Sequence, residues 1–177
     1  VLQWAEAGRL PNLVVDPVLV STDGTRLLDP GAEAAYRELL RHARVATPNL
    51  PEAAVLLGTD LTSMDEVASH ADRLAALGPE VVVVTGGQLS GDAVDAAVTS
   101  KGVERMTAER LDTTNVHGSG CTFAAATAAR LALGDDPLDA VRAAKAFVHQ
   151  QVTRSTGWRL GAGTLGPVSH LFLLPNS

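Results

Sequence analysis

The segment Asn115-Val116-His117-Gly118-Ser119-Gly120-Cys121-Thr122 concentrates residue types that handle anions and protons. Its Gly-x-Gly step leads into an Ala-rich stretch, so backbone N–H groups at a helix start lie open to a ligand. Unpaired donors and the helix dipole both favour negative charge there. Glycine permits the tight turn and the close approach of a phosphate oxygen. A plain Gly-rich helix cap has the same local pattern. Cys121 stands in the first helical turn, where the dipole stabilises a thiolate able to act as nucleophile or general base. Position alone leaves a buried structural cysteine equally open. His117 is either a partner for Cys121 or a loop histidine with its own hydrogen bond. No Gly-Lys-Ser/Thr follows a Gly-rich loop, so the Walker A pattern is absent.

A second constellation is Asn49-Leu50-Pro51-Glu52, just after an apolar run. An amide and a carboxylate at this spacing, on the C-terminal edge of a sheet, can hold a hydrated Mg²⁺. Asp16 ends another apolar run, and open α/β sheets bind ligands at that edge. Thr85-Gly86-Gly87 ends a third and brings a close-approach backbone to the same place. Taken singly these are cap or turn residues, as Asp16 is before Pro17. Together they describe a metal–nucleotide site facing the anion cradle.

Short apolar runs alternate with amphipathic stretches, the pattern of an α/β layer fold. Strands are expected at Leu13 to Val15, Arg44 to Thr47 and Val81 to Val84. The last is apolar on both faces and so central in a parallel sheet. A hairpin is expected from Ala93 to Val98 and Val103 to Met106, with the three-residue loop Ser100-Lys101-Gly102. Helices are expected at Ala32 to Ala43, from Pro51, and from Ser63, where Ser63-Met64-Asp65-Glu66 reads as a capping box. In that last helix Val67, Ala71, Leu74 and Ala75 face the core, and Gly78-Pro79 stops it. Two long helices follow, Gly120 to Leu133 and Asp136-Pro137 to about Thr153. Leu171 to Leu174 reads as a last strand.

With 46% hydrophobic and 19% charged residues, the 177-residue chain is not a disordered one. Only 3% is aromatic, so Ala, Val and Leu must build the core. The formal charge of −6 and the lack of a basic patch argue against nucleic acid. No run approaches the roughly 18 apolar residues of a membrane span. The single cysteine excludes an intrachain disulfide framework and fits a reducing, cytoplasmic setting. The chain starts Val1-Leu2-Gln3-Trp4 without Met, and Leu2, Ala5, Glu6 and Arg9 read as the last turns of a helix. It is expected to enter a larger domain midway, residues 1–177 forming one unit that lacks its N-terminal segment.

The order and spacing of Asp16-Pro17-Val18, Thr47-Pro48-Asn49-Leu50-Pro51-Glu52-Ala53, Gly86-Gly87, His117-Gly118-Ser119-Gly120-Cys121-Thr122 and Gly166-Pro167-Val168-Ser169-His170 carry a resemblance. The chain resembles the C-terminal portion of the hydroxymethylpyrimidine/phosphomethylpyrimidine kinases, ribokinase-like enzymes of thiamine biosynthesis. The resemblance implies a ribokinase-like α/β fold, with a mostly parallel sheet flanked by helices. It implies ATP-dependent phosphorylation of hydroxymethylpyrimidine and its monophosphate. Gly118, Ser119 and Gly120 would then be the anion hole, and Cys121 the general base taking the proton of the substrate hydroxymethyl. Asp16, Asn49 and Glu52 would organise Mg²⁺ and, with Thr85, Gly87 and Lys145, the ATP phosphates and nucleotide. The implied partners are a small pyrimidine and ATP, with a homodimer left open. The family often carries Lys-Gly-Gly-His where this chain has Thr85-Gly86-Gly87-Gln88. The pyridoxal kinases share the fold and the cysteine and are the alternative, as is a ligand-binding module without turnover.

Overall fold

A computed structural model describes residues 1–19, 30–160 and 162–170. A short helix, α1 (Leu2–Glu6), precedes the two-residue strand β1 (Val14–Val15); α2 (Pro30–Leu40) leads to β2 (Val45–Ala46). Then come α3 (Leu50–Leu57), α4 (Met64–Ser69) and α5 (Ala71–Ala75), before β3 (Val81–Thr85). The hairpin β4 (Ala93–Thr99) and β5 (Gly102–Ala108) is followed by the long helices α6 (Ser119–Ala132) and α7 (Pro137–Ser155). Leu171 to Leu174 lie outside the described residues.

The five strands form one sheet in the order β1-β2-β3-β4-β5. The β1–β2 and β2–β3 ladders are parallel, while β3–β4 and β4–β5 are antiparallel. Only β4 therefore runs against the rest, and β5 points the same way as β3. The Val-rich strand is central, as its pattern requires. Val82 and Val84 enter a core with Leu50, Ala53, Val67 and Leu74 from α3, α4 and α5. Val81 and Val83 enter the opposite core, with Phe123, Leu131, Val141 and Ala144 from α6 and α7. Period-two alternation along one strand thus feeds two helical layers.

Several expectations shift: β2 is shorter than Arg44 to Thr47, and α2 spans Pro30–Leu40 where Ala32 to Ala43 is expected. The helix opening at Ser63 is two helices broken at His70, although Val67 and Leu74 are fully buried as the spacing requires. Ser63 caps it by accepting from Glu66 N–H, but the Glu66 carboxylate reaches the amide of Thr62 rather than that of Ser63. The capping box is therefore open on one side. The hairpin loop has two residues, Ser100 and Lys101, because Gly102 pairs with Thr99 inside the ladder.

Candidate functional site

Asp16, Asn49 and Thr85 follow or end three strands that run in one direction, which places them on one edge of the sheet. The edge is tied across by the Thr85 N–H donating to Pro48 O at 2.9 Å and by a parallel bridge between Asn49 and Thr85. The connection from β5 to α6 delivers the Gly118–Cys121 segment to the same edge. The side-chain amide of Asn12, before β1, donates to Leu131 O near the end of α6 at 3.2 Å. With α6 packed on β1, the helix runs antiparallel to that strand, and its start lies toward Asp16.

At that start Gly118 is the N-cap with φ 87°, a backbone that only glycine adopts without strain. The Ser119 amide turns back onto Val116 O at 3.2 Å, and the Thr122 amide makes the first helical bond, to Gly118 O at 2.9 Å. Among the described residues the amides of Gly120 and Cys121 donate to no carbonyl, so these are the open donors of the helix start. The sequence proposed Gly118, Ser119 and Gly120; the structure leaves the Ser119 amide engaged and exposes that of Cys121. Cys121 itself is exposed. It lines a groove of about 600 Å³ together with His117, Gly118, Thr122, Phe147 and His170.

The groove wall is pinned from a distant part of the chain. The Thr122 hydroxyl donates to Gly118 O at 2.7 Å and lies 2.9 Å from His170 Nε2. Its proton being spent on the carbonyl, the imidazole must be the donor, which fixes the Nε2–H tautomer in this network. The His117 amide donates to Gly166 O, and His117 O accepts from Val168 N–H, both at 3.0 Å. The Gly166-to-His170 segment is thereby a strap across the start of α6. The backbone of His117 is used in this strap, and no hydrogen bond joins its side chain to Cys121.

Around Asp16, the Thr47 hydroxyl donates to Oδ1 at 2.9 Å. Burial pushes the Asp16 carboxyl above the ordinary carboxylate range, and the Thr47 bond partly opposes this. Glu52 is 4% exposed and works as a cap. Its Oε2 accepts from the Asn49 amide at 2.8 Å and its Oε1 from the Leu19 amide at 3.3 Å, while Asn49 Oδ1 accepts from the Glu52 amide at 2.9 Å. The pair that the sequence offered to Mg²⁺ is thus a reciprocal capping box on α3. Among the described residues no three His, Cys, Asp or Glu side chains are grouped to hold a metal. Asp16, partly exposed and with Oδ2 outside its bond to Thr47, fits a Mg²⁺ that keeps several waters and arrives on phosphates.

Lys145 is neither a surface lysine nor in open contact with the edge. Its Nζ donates to Ala93 O and to Asp95 Oδ2, each at 2.8 Å. The other Asp95 oxygen accepts from the Gly86 amide at 2.9 Å. Gly87 is exposed, and its carbonyl accepts from Arg110 Nη1 at 3.0 Å. Asp95 and Arg110 were not singled out from the sequence. The available signal for Asp95 was an acid in the apolar run Ala93-Val94-Asp95-Ala96-Ala97-Val98; Arg110 had none.

Residues 1–169 match the family model described as phosphomethylpyrimidine kinase. Over 160 residues the chain is 43% identical to the hydroxymethylpyrimidine/phosphomethylpyrimidine kinase of Rhizobium meliloti, covering 89% of this chain and 60% of that protein. The ADP complex of Bacillus subtilis pyridoxal kinase superposes with a TM-score of 0.84 at 35% identity, covering 96% of this chain and 64% of that one. The Staphylococcus aureus pyridoxal kinase bound to AMP-PCP and pyridoxal gives 0.81 at 36% identity, covering 96% and 61%.

Proposed function

The chain belongs to the phosphomethylpyrimidine kinase family, and on that premise we propose that it acts in the ATP-dependent phosphorylation of hydroxymethylpyrimidine and its monophosphate, in cytoplasmic thiamine biosynthesis. Its fold is ribokinase-like, and it spans about 60% of the length of the Rhizobium meliloti kinase. One observation carries the reading: an exposed thiol beside two unpaired backbone donors at the start of a long helix, on the ligand-binding edge of the sheet.

Phosphoryl transfer asks mostly for positioning and for stabilisation of charge on the transferring group. The amides of Gly120 and Cys121 point their donors at that charge. Cys121 Sγ takes the proton of the substrate hydroxymethyl as its oxygen bonds the γ-phosphorus and the bond to the ADP oxygen breaks. Asp16 would be the residue to hold a Mg²⁺, which when bound would neutralise charge on the phosphate oxygens. The strap through Thr122 and His170 keeps the helix start in place.

Two relatives of high structural similarity carry the name pyridoxal kinase, so pyridoxal is the second substrate to test. A coupled assay of ADP formation with hydroxymethylpyrimidine and with pyridoxal separates the two. Removing the base in Cys121→Ala is expected to lower turnover about 10²–10⁴-fold, the usual worth of general acid–base catalysis, with ADP binding kept. Turnover within threefold of wild type sinks the role of Cys121. ADP formation with neither substrate, alongside retained ADP binding, supports a ligand-binding module in place of an enzyme.

A further inference from the structure

Asp95 lies on β4 directly opposite Thr85 of β3, at the last pair of that ladder before the chain turns into Gly86 and Gly87. Its side chain is 7% exposed and that of Lys145 15%. One carboxylate oxygen receives the Gly86 amide and the other the ammonium, which also spends a proton on Ala93 O. Neither charge is well solvated, so each depends on the other. Gly86 itself is locked: a Cβ there would overlap Val94 O and the Met64 methyl. Arg110 holds the next carbonyl, that of Gly87, and also that of Gly91. The turn after β3 is thus fixed on its buried side by Asp95 and on its exposed side by Arg110. What stays open toward the edge is the backbone of Gly87, with open space around its Cα.

We propose that Asp95 and Lys145 are a positioning pair: a buried brace that sets the Gly86–Gly87 backbone for the nucleotide, with Lys145 acting through Asp95 and not on the nucleotide. The inference rests on the kinase reading of this edge. A backbone held in its bound shape has less ordering left to do when ligand arrives, and affinity rises accordingly. Cutting the brace therefore lowers nucleotide affinity. A lysine that contacted nucleotide directly gives the opposite sign, because Asp95→Asn releases it toward the phosphates.

The test is ADP binding by calorimetry, with Mg²⁺, on wild type, Asp95→Asn, Lys145→Gln and the double variant, each shown folded by circular dichroism. Each single variant leaves one buried charge without its partner and is expected to weaken ADP binding about 5–20-fold. In the double variant no buried charge is left without its partner and the Asp95→Asn side chain can still accept from the Gly86 amide, so affinity is expected to recover to within about threefold of wild type. Hydrogen exchange at the Gly86 and Gly87 amides rises in the singles and falls back in the double. Unchanged or tighter ADP binding by Asp95→Asn overturns the brace while the kinase reading stands, as does an additive loss in the double variant. Wild-type protein that binds no ADP overturns both.

Discussion

Glu52→Gln is the sharpest perturbation of the edge, because the sequence and the structure assign the residue different work. Both carboxylate oxygens accept backbone N–H groups, from Asn49 at 2.8 Å and Leu19 at 3.3 Å, in a site only 4% exposed. Glutamine has nearly the same shape but a single acceptor oxygen. One backbone N–H must then face the new NH₂ group, donor against donor. A hydrogen bond to a charged group contributes about 1.5–3 kcal/mol and a buried unsatisfied donor costs about 1–3 kcal/mol, so a loss of about 3 kcal/mol is expected. At a typical urea slope of about 2 kcal/mol/M this moves the unfolding midpoint down by about 1.5 M. Asn49→Ala removes the other half of the box and is expected to cost about 1 kcal/mol. Urea unfolding followed by circular dichroism reads both, with a Mg²⁺ titration of ADP binding run on the same samples. A Glu52→Gln midpoint within about 0.3 M of wild type, paired with a higher Mg²⁺ requirement, would refute the capping argument and return Glu52 to the metal.

The raised Asp16 carboxyl gives a pH test. Below the ordinary carboxylate pKa of 3.8 the group is protonated whether folded or not, and Asp16→Asn is expected to match wild type in stability. As pH climbs from there through the raised folded value, the unfolded chain ionises first and wild type loses ground, so at neutral pH the variant is the more stable protein. Equal stability across that window refutes the burial argument, and a Mg²⁺ requirement for ADP binding that does not rise in the variant removes Asp16 from the metal. Gly86→Ala is expected to cost about 1–3 kcal/mol, as overpacking against a paired strand does, whereas Gly87→Ala stays within about 0.5 kcal/mol. The contrast follows from the overlap with Val94 O and Met64 at Gly86 and the open space at Gly87. Equal urea midpoints for the two would mean that the turn after β3 is free to shift.

Much of this protein is local and therefore written in its sequence. Val81 to Val84 are apolar without alternation, so the strand had to be central and covered on both faces, and it is. Gly118 and Gly120 leading into an Ala-rich run put the helix start at Gly120, one residue from the observed Ser119, because steric limits at positive φ and the period of 3.6 act within a few residues. The motif order from Asp16 to His170 was enough to identify the family. What tertiary structure decided is how each polar group is partnered, since partners come from distant segments. Asn49 and Glu52 at three-residue spacing serve a metal or a helix cap equally well on paper; burial beneath the Leu19 amide selects the cap. Ser119 lost its place among the open donors to a carbonyl three residues back. Lys145 carries no sign in its own helix that Asp95, 50 residues away, takes its charge, or that Thr122 waits for His170 at a separation of 48. Helix and strand follow from short-range sterics and periodicity, whereas buried charges and hydrogen bonds are settled only when the packed sheet brings their counterparts within 3 Å.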